Sequence, residues 1–289
     1  MFLIRKSWFI ALVVSTLLLF FYLGSRLLNL TNLPIFTDEA IYIRWAQIGS
    51  RDAAWRFISL VDGKQPLFTW LMMGTLRFVR DPLVAGRLVS VGAGIATMIG
   101  VWLVALELFK NKRIALFASF LYLLSPFTLM YDRMALYDSL VAAFSIWNLY
   151  LGILLVRRVR LDIALLWGMT LGLGMLNKTS GFLSLYLAPF LLILFDSQAS
   201  GRWRRSFRWV SLVAVAAIIS QALYSILRLS PLFSMIAQKD VVFIYSFREW
   251  FTHPIQFFTG NINGLIDWAV NYLTLPVFLL ALAPLFALW

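Results

Sequence analysis

Long apolar runs divide the chain, at residues 8–28, 83–108, 114–131, 138–156, 162–177, 180–195, 209–229 and 268–289. A helix needs roughly 17–25 apolar residues to cross the ~30 Å hydrocarbon layer, and these runs lie at or near that length. A further run, Leu67 to Val79, is confined between Pro66 and Arg80 and falls short of a crossing. The pattern predicts an all-α polytopic membrane protein with about eight transmembrane helices. It also predicts amphipathic juxtamembrane helices in the first outer loop, with Trp70, Arg77 and Arg80 suited to an interface. The stretch from Trp8 to Leu23 is too long and too poor in small residues for a cleaved leader, and reads as a retained signal anchor.

Short basic clusters separate the runs: Arg5-Lys6, Lys110 with Lys112-Arg113, Arg157-Arg158 with Arg160, and Arg202 with Arg204-Arg205. If 67–79 stays on the surface, all of these clusters share the side of the N-terminus. If it crosses, every cluster after the first changes sides. The positive-inside rule selects the first arrangement. The N-terminus is then cytoplasmic, and the extracytoplasmic side receives loop 29–82, the segment Tyr131 to Asp138, the turn at Asn177-Lys178 and loop 230–267. Most of the acids, and several isolated bases, fall on that outer side.

Composition supports lipid as the solvent. The chain has 289 residues, 62% hydrophobic and 13% charged, against about half apolar and a quarter charged for a soluble domain. A net charge of +12 would suit nucleic acid, but the bases that carry it sit where topology signals sit. An anionic membrane surface explains them better, and no nucleic-acid partner is expected. Cysteine is absent and His253 is the single histidine, so neither a disulfide, a thiolate or histidine metal site, nor another cofactor is expected. No domain boundary or repeat interrupts residues 1–289, which read as one transmembrane module. The chain stops at Trp289 inside an apolar run with no flanking charge, and the expectation is that a complete protein continues with a further C-terminal part.

Candidate chemistry starts at Asp38-Glu39, adjacent carboxylates after the first span, with Arg44 a turn and a half later. One reading is a helix start, with Thr37 or Asp38 as N-cap and acids in the first turn. The other is a partly desolvated carboxylate serving as a base. Lys64, in Asp62-Gly63-Lys64-Gln65-Pro66, suits either snorkelling or a phosphate. In Tyr131-Asp132-Arg133-Met134-Ala135-Leu136-Tyr137-Asp138, Arg133 and Asp138 form either a structural ion pair or part of a site near hydrocarbon. Lys178 is an isolated cation on the outer side, either an interface anchor or a contact for an anionic ligand. The small-residue pairs Gly168/Gly172 and Gly92/Gly94 read as close helix packing, and Glu107 as a partner of Lys110 or Arg113.

These residues also carry a resemblance. The chain resembles the dolichyl- or polyprenyl-phosphate-sugar glycosyltransferases of the membrane-embedded C superfold, and is similar to bacterial relatives of protein O-mannosyltransferase and the lipid A aminoarabinose transferase. The matching pieces are Asp38-Glu39, Lys64-Gln65-Pro66-Leu67, Arg87-Leu88, Leu124-Ser125-Pro126 followed by Arg133-Met134-Ala135 and Asp138, and Leu173 through Gly181. The usual Lys-Pro-Pro reads Lys64-Gln65-Pro66, the usual Thr-Lys reads Asn177-Lys178, and the C-terminal half of a typical member is missing.

The resemblance implies an inverting glycosyltransferase that moves a sugar from a polyprenyl-phosphate-linked donor to a hydroxyl of a glycolipid, cell-envelope glycan or protein. It implies an extracytoplasmic active site in the cell (plasma or inner) membrane. Asp38 would be the general base and Glu39 its support; Lys64, Arg133 and Lys178 would neutralise the donor phosphate; Asp138, Asp132 and Arg44 would assist. A monophosphate leaving group held by lysine and arginine implies transfer without a metal. The competing readings are a transporter or flippase of lipid-linked sugars, and an inactive scaffold or fragment. A transporter places its charges near the bilayer midplane on broken helices, whereas the charges here cluster at one face.

Overall fold

The computed structural model describes residues 2–195, 201–243, 245–256 and 258–287, and these are helical with no strand among them. Asp196 to Ser200 and Trp289 lie outside the described residues. Helix α1 (Phe2–Leu27) leads into a loop that folds as α2 (Thr37–Arg51), two 3-10 turns (Ala53–Trp55 and Ile58–Asp62) and α3 (Leu67–Thr75). The chain continues through α4 (Pro82–Phe109), α5 (Lys112–Leu124), α6 (Pro126–Tyr131), α7 (Tyr137–Arg158) and α8 (Leu161–Asn177). Two 3-10 turns (Thr179–Phe182 and Pro189–Leu194) then flank the single-turn α9 (Leu183–Tyr186). Beyond it lie α10 (Arg202–Tyr224), α11 (Ser234–Phe243), α12 (Phe247–Thr252), α13 (Phe258–Leu273) and α14 (Leu275–Ala287).

Among the described residues, 3 helical stretches are long and apolar enough to cross a membrane: α4, α7 and Arg202–Leu229. The pair α13–α14, bent by 111°, would make a fourth. Leu12–Leu27 of α1, α8 and Thr179–Leu194 are apolar but shorter. Three departures from the sequence pattern have local causes. The run 114–131 breaks at Ser125, because Pro126 has no N–H to donate back into α5 and instead opens α6. Residues 179–194 wind as short 3-10 and α turns around Pro189. The run expected at 268–289 begins inside α13 and turns at Thr274, which takes φ 72° just before Leu275-Pro276 restarts the helix. The segment 67–79, expected on the outer surface, is helical only through Thr75; nine residues rise ~14 Å, half a crossing.

Helix α4 packs on α5 and α7, α7 packs on α8, and α8 packs on α10. The last contact depends on the expected glycine pair: a Cβ at Gly168 would lie 2.8 Å from the Ala216 carbonyl, and one at Gly172 would lie 2.7 Å from Leu223 Cβ. Gly94 serves a different purpose. A Cβ there would meet the Tyr22 hydroxyl and lie 2.6 Å from the Asp132 carboxylate, so the glycine makes room for a polar cluster rather than for a helix backbone. Gly94→Ala is therefore expected to destabilise the protein by roughly 1–3 kcal/mol, read as a lower thermal midpoint in detergent. An unchanged midpoint would mean that the Tyr22–Asp132 pair moves aside at no cost.

Helix α4 also gives the bundle two distinct ends. Glu107, near its last turn, accepts from Lys110 and Arg157 at 2.8 Å each, and Arg205 of α10 donates to the Arg157 carbonyl at 2.6 Å. Lys110 is thus a partner as expected, but Arg157 takes the place given to Arg113. Arg87 lies five turns earlier on α4, about 30 Å away along the axis, and there the candidate residues gather.

Candidate active site

Helix α2 starts at Thr37, with Phe36 as its N-cap, so Thr37 and Asp38 lie inside the first turn rather than capping it. The backbone N–H of Phe36 donates instead to Glu39 Oε2 at 3.0 Å, one arm of a capping box. Successive side chains on a helix diverge by about 100°, and the two acids consequently meet opposite surroundings.

Glu39 faces α4 and is 0% exposed, as is Arg87. Arg87 Nε reaches Glu39 Oε1 and Arg87 Nη2 reaches Oε2, both at 2.9 Å, a bidentate fork. The Ala135 N–H adds a third donor at 2.7 Å. Burial alone would push the Glu39 carboxyl up, but Arg87 and the two backbone N–H groups outweigh it and hold it below the usual glutamate range. Arg87 Nη1 donates to the Leu30 carbonyl, and Nη2 is shared between Glu39 and the carbonyls of Leu33 and Pro34. This pair ties α2, α4, the segment before α7 and the loop after α1 together. Glu39 has all of its contacts inside the protein and no face left for an acceptor.

Asp38 faces the other way, with its side chain 42% exposed. Tyr42, one turn on, donates its hydroxyl to Asp38 Oδ2 at 3.2 Å, and Lys64 Nζ donates to the same hydroxyl oxygen at 3.0 Å. Lys64 Nζ lies 4.0 Å from Asp38 Oδ1 and 3.4 Å from Asp62. Burial first, and then the neighbouring Asp38, push the Tyr42 hydroxyl well above its ordinary value, so it keeps its proton; Asp138 acts in the same direction. Both carboxylates are thus within electrostatic reach of one hydroxyl.

Lys178 pairs with Asp138 at 3.2 Å, both side chains partly exposed. The two lysine-bearing segments are joined through Gln65 and Asn177. Gln65 donates to Thr179 Oγ1 at 2.6 Å, and its carbonyl accepts from the Tyr137 hydroxyl at 3.0 Å. Asn177 donates to the Tyr137 carbonyl at 3.2 Å. Lys64, Asp38, Asp138 and Lys178 therefore surround one junction. Among the described residues no group of three or more His, Cys, Asp or Glu side chains converges as on a metal ion.

Other expected site residues lie elsewhere. Arg133 does not pair with Asp138; its Nη2 donates to the carbonyls of Leu28 and Asn29 at 2.9 and 2.7 Å. Asp132 is buried, accepting from the hydroxyls of Tyr22 and Tyr122 at 3.1 Å, with Arg26 Nε at 3.7 Å. Arg44 is on the exposed face of α2. The sequence reading left Arg26, Tyr42 and Gln65 without a role and used Arg87 only as a motif. An arginine inside an apolar run was the available signal for Arg26 and Arg87, since such a charge needs a buried partner. No pattern singled out Tyr42 among the 10 tyrosines.

Residues 63–224, more than half of the chain, match the family described as dolichyl-phosphate-mannose-protein mannosyltransferase. The chain belongs to that family. It is a multi-pass membrane glycosyltransferase of the mannosyltransferase-like kind, a group whose donor is a lipid-linked sugar and whose acceptor is a protein or lipid. The matched span begins at Gly63 and so takes in Lys64, Asp138 and Lys178 but not Asp38. Comparisons with curated proteins and with solved structures gave no match.

Proposed function

We propose that this protein transfers a sugar from a polyprenyl-phosphate donor to a hydroxyl acceptor, on the extracytoplasmic face and with inversion at the anomeric carbon. The observation that carries the reading is a partly exposed carboxylate, Asp38, held 4.0 Å from the Lys64 ammonium, at the end of α4 opposite the Arg157 cluster. The acceptor oxygen bonds to the anomeric carbon as its proton passes to Asp38. The carbon–oxygen bond to phosphate breaks, and the electron pair leaves with the lipid monophosphate. Lys64 and Lys178 neutralise the charge that develops there. Their present partners, Asp62 and Asp138, are exposed enough to yield to a phosphate. Arg133 anchors the end of α1 in this reading, and Glu39 with Arg87 sets the direction of α2.

An apolar groove of about 380 Å³, lined by Leu71, Val89, Ala93, Leu140, Phe144 and Trp147 among others, meets α7 from Leu140, two residues past Asp138. It gives an isoprenoid chain a place beside the junction. The eight-crossing topology, with the N-terminus cytoplasmic and α2 and α3 on the outer surface, counts α1, α4, α5–α6, α7, α8, 179–194, α10 and the α13–α14 region as crossings. The positive-inside rule supports it.

The test is transfer of radiolabel from polyprenyl-phosphate mannose to envelope components of a strain lacking the gene, with the purified full chain. Label should leave the lipid-phosphate fraction, and it should do so equally in EDTA, because a monophosphate neutralised by lysines needs no divalent ion. Movement of intact donor between leaflets without loss of its sugar would instead identify a flippase. Lys64→Met is expected to weaken binding of a polyprenyl monophosphate about tenfold or more, measured in lipid nanodiscs; unchanged affinity would remove Lys64 from the phosphate site.

A further inference from the structure

The turn that leads into Lys64 is covered by α11. Ile236 of that helix is buried in one apolar cluster with Leu60, Leu176 and Leu227, which seats α11 on the 3-10 turn Ile58–Asp62. The approach is close because residue 63 is a glycine. Gly63 takes φ 70°, and a Cβ there would lie 2.7 Å from Lys239 Cβ. Lys239 therefore leaves α11 directly beside the turn. Its Nζ lies 3.6 Å from Asp62 Oδ1, while Lys64 Nζ lies 3.4 Å from Asp62 Oδ2. One carboxylate thus divides its two oxygens between ammonium groups from two separate segments, and all three side chains are partly exposed.

We infer that Asp62 occupies the place of the lipid donor's phosphate between Lys64 and Lys239, so that donor binding exchanges one anion for another and makes Lys239 a donor-binding residue. The inference rests on the proposed transfer reaction and deepens it. A sugar linked to a polyprenyl monophosphate is a phosphodiester, with one negative charge shared by two free oxygens. The Asp62 carboxylate carries the same charge on the same number of oxygens. Partly solvated lysine–carboxylate pairs contribute little to stability, so the exchange meets little resistance. As the bond to the anomeric carbon breaks, the phosphate keeps the electron pair and gains a second negative charge and a third free oxygen. Lys64 and Lys239 then hold it more strongly than they held the diester, and that difference favours the transition state. Because Lys239 belongs to α11, the phosphate also replaces Asp62 as the tie between that helix and the Lys64 turn. After the sugar has left, Asp62 competes for both ammonium groups and helps the lipid monophosphate to depart. An uncharged polyprenol has no anion to exchange, and the arrangement therefore selects the phosphorylated lipid.

The experiment measures binding of polyprenyl monophosphate, with polyprenol as the uncharged control, to the full chain in lipid nanodiscs. Lys239→Met should weaken monophosphate binding about tenfold and leave polyprenol binding unchanged. Asp62→Asn should act in the opposite sense and tighten monophosphate binding about threefold, because an uncharged amide competes poorly for the ammonium groups. An ion-pair network with a purely structural role predicts instead that both variants weaken binding or leave it alone. Monophosphate affinity unchanged in Lys239→Met, or no tighter in Asp62→Asn, overturns the exchange. Acylation of lysines by labelled acetic anhydride, read by peptide mass spectrometry, tests the wild type without substitution and decides the matter if a variant melts lower. Saturating monophosphate should lower the labelling of Lys64 and Lys239 together, and polyprenol should lower neither. Protection of Lys64 alone removes Lys239 from the site and leaves the transfer reaction standing. Protection of neither lysine takes down the phosphate assignment beneath the inference.

Discussion

Asp38→Asn should lower the rate of sugar transfer by about 10²–10⁴-fold, the usual contribution of a positioned general base, while leaving lipid-phosphate affinity near that of the wild type. Asparagine keeps the shape of the side chain and accepts from Tyr42, but its amide cannot take up the acceptor proton. The site should tolerate the change structurally, because Asp38 is 42% exposed and is held only by Tyr42 and the 4.0 Å approach of Lys64. A radiolabelled-donor assay at saturating lipid donor measures it directly, with the thermal midpoint as a control for folding. Transfer at the native rate would mean that Asp38 is not the base, and would return the pair to being merely the acidic first turn of α2.

Glu39→Gln should have the opposite signature, damaging the fold first and activity as a consequence. The amide cannot satisfy both arms of Arg87 together with the Ala135 and Phe36 N–H groups, which leaves a fully buried guanidinium without its charge partner. Breaking such a pair costs roughly 3–5 kcal/mol, a large part of the total stability of an ordinary domain. The full chain should accumulate poorly and melt at a markedly lower temperature. The double variant Glu39→Gln/Arg87→Met should be less destabilised than the sum of the two single changes, because the uncompensated charge is gone. The pair also has a pH signature. The folded Glu39 carboxyl titrates below its ordinary value. Its stabilising contribution is therefore complete above the unfolded glutamate value of ~4.3 and fades as the pH falls through the lower folded value. Acid should lower the melting temperature of the wild type there, and that of Glu39→Gln less. A Glu39→Gln protein that melts like the wild type at neutral pH would contradict this account.

The apolar periodicity was sufficient for the helical class, for the extents of α4, α7 and α8 to within a residue or two, and for a short helix starting at Leu67. Those features follow from local composition: a run long enough to satisfy its backbone in lipid must be a helix. The same periodicity missed the breaks at Ser125 and Thr274, because an average over a window hides one proline among many leucines. Charge position singled out Asp38, Lys64, Asp138 and Lys178, since each is an isolated ionisable group beside an apolar run. It did not separate Asp38 from Glu39, or Arg133 from the lysines. Their roles depend on which way each side chain points once α2 lies against α4, and on which carbonyls the end of α1 leaves open.

Family and membrane character are thus written locally in the chain, in hydrophobic runs and in the order of its motifs. The division of labour within the site is not local. Asp38 and Glu39 are adjacent in sequence, yet one faces Tyr42 and Lys64 while the other is enclosed by Arg87 and Ala135, residues 48 and 96 positions away. Only packing brings those partners together, and the enclosure turns one of two like carboxylates into a structural tie and leaves its neighbour partly open to solvent.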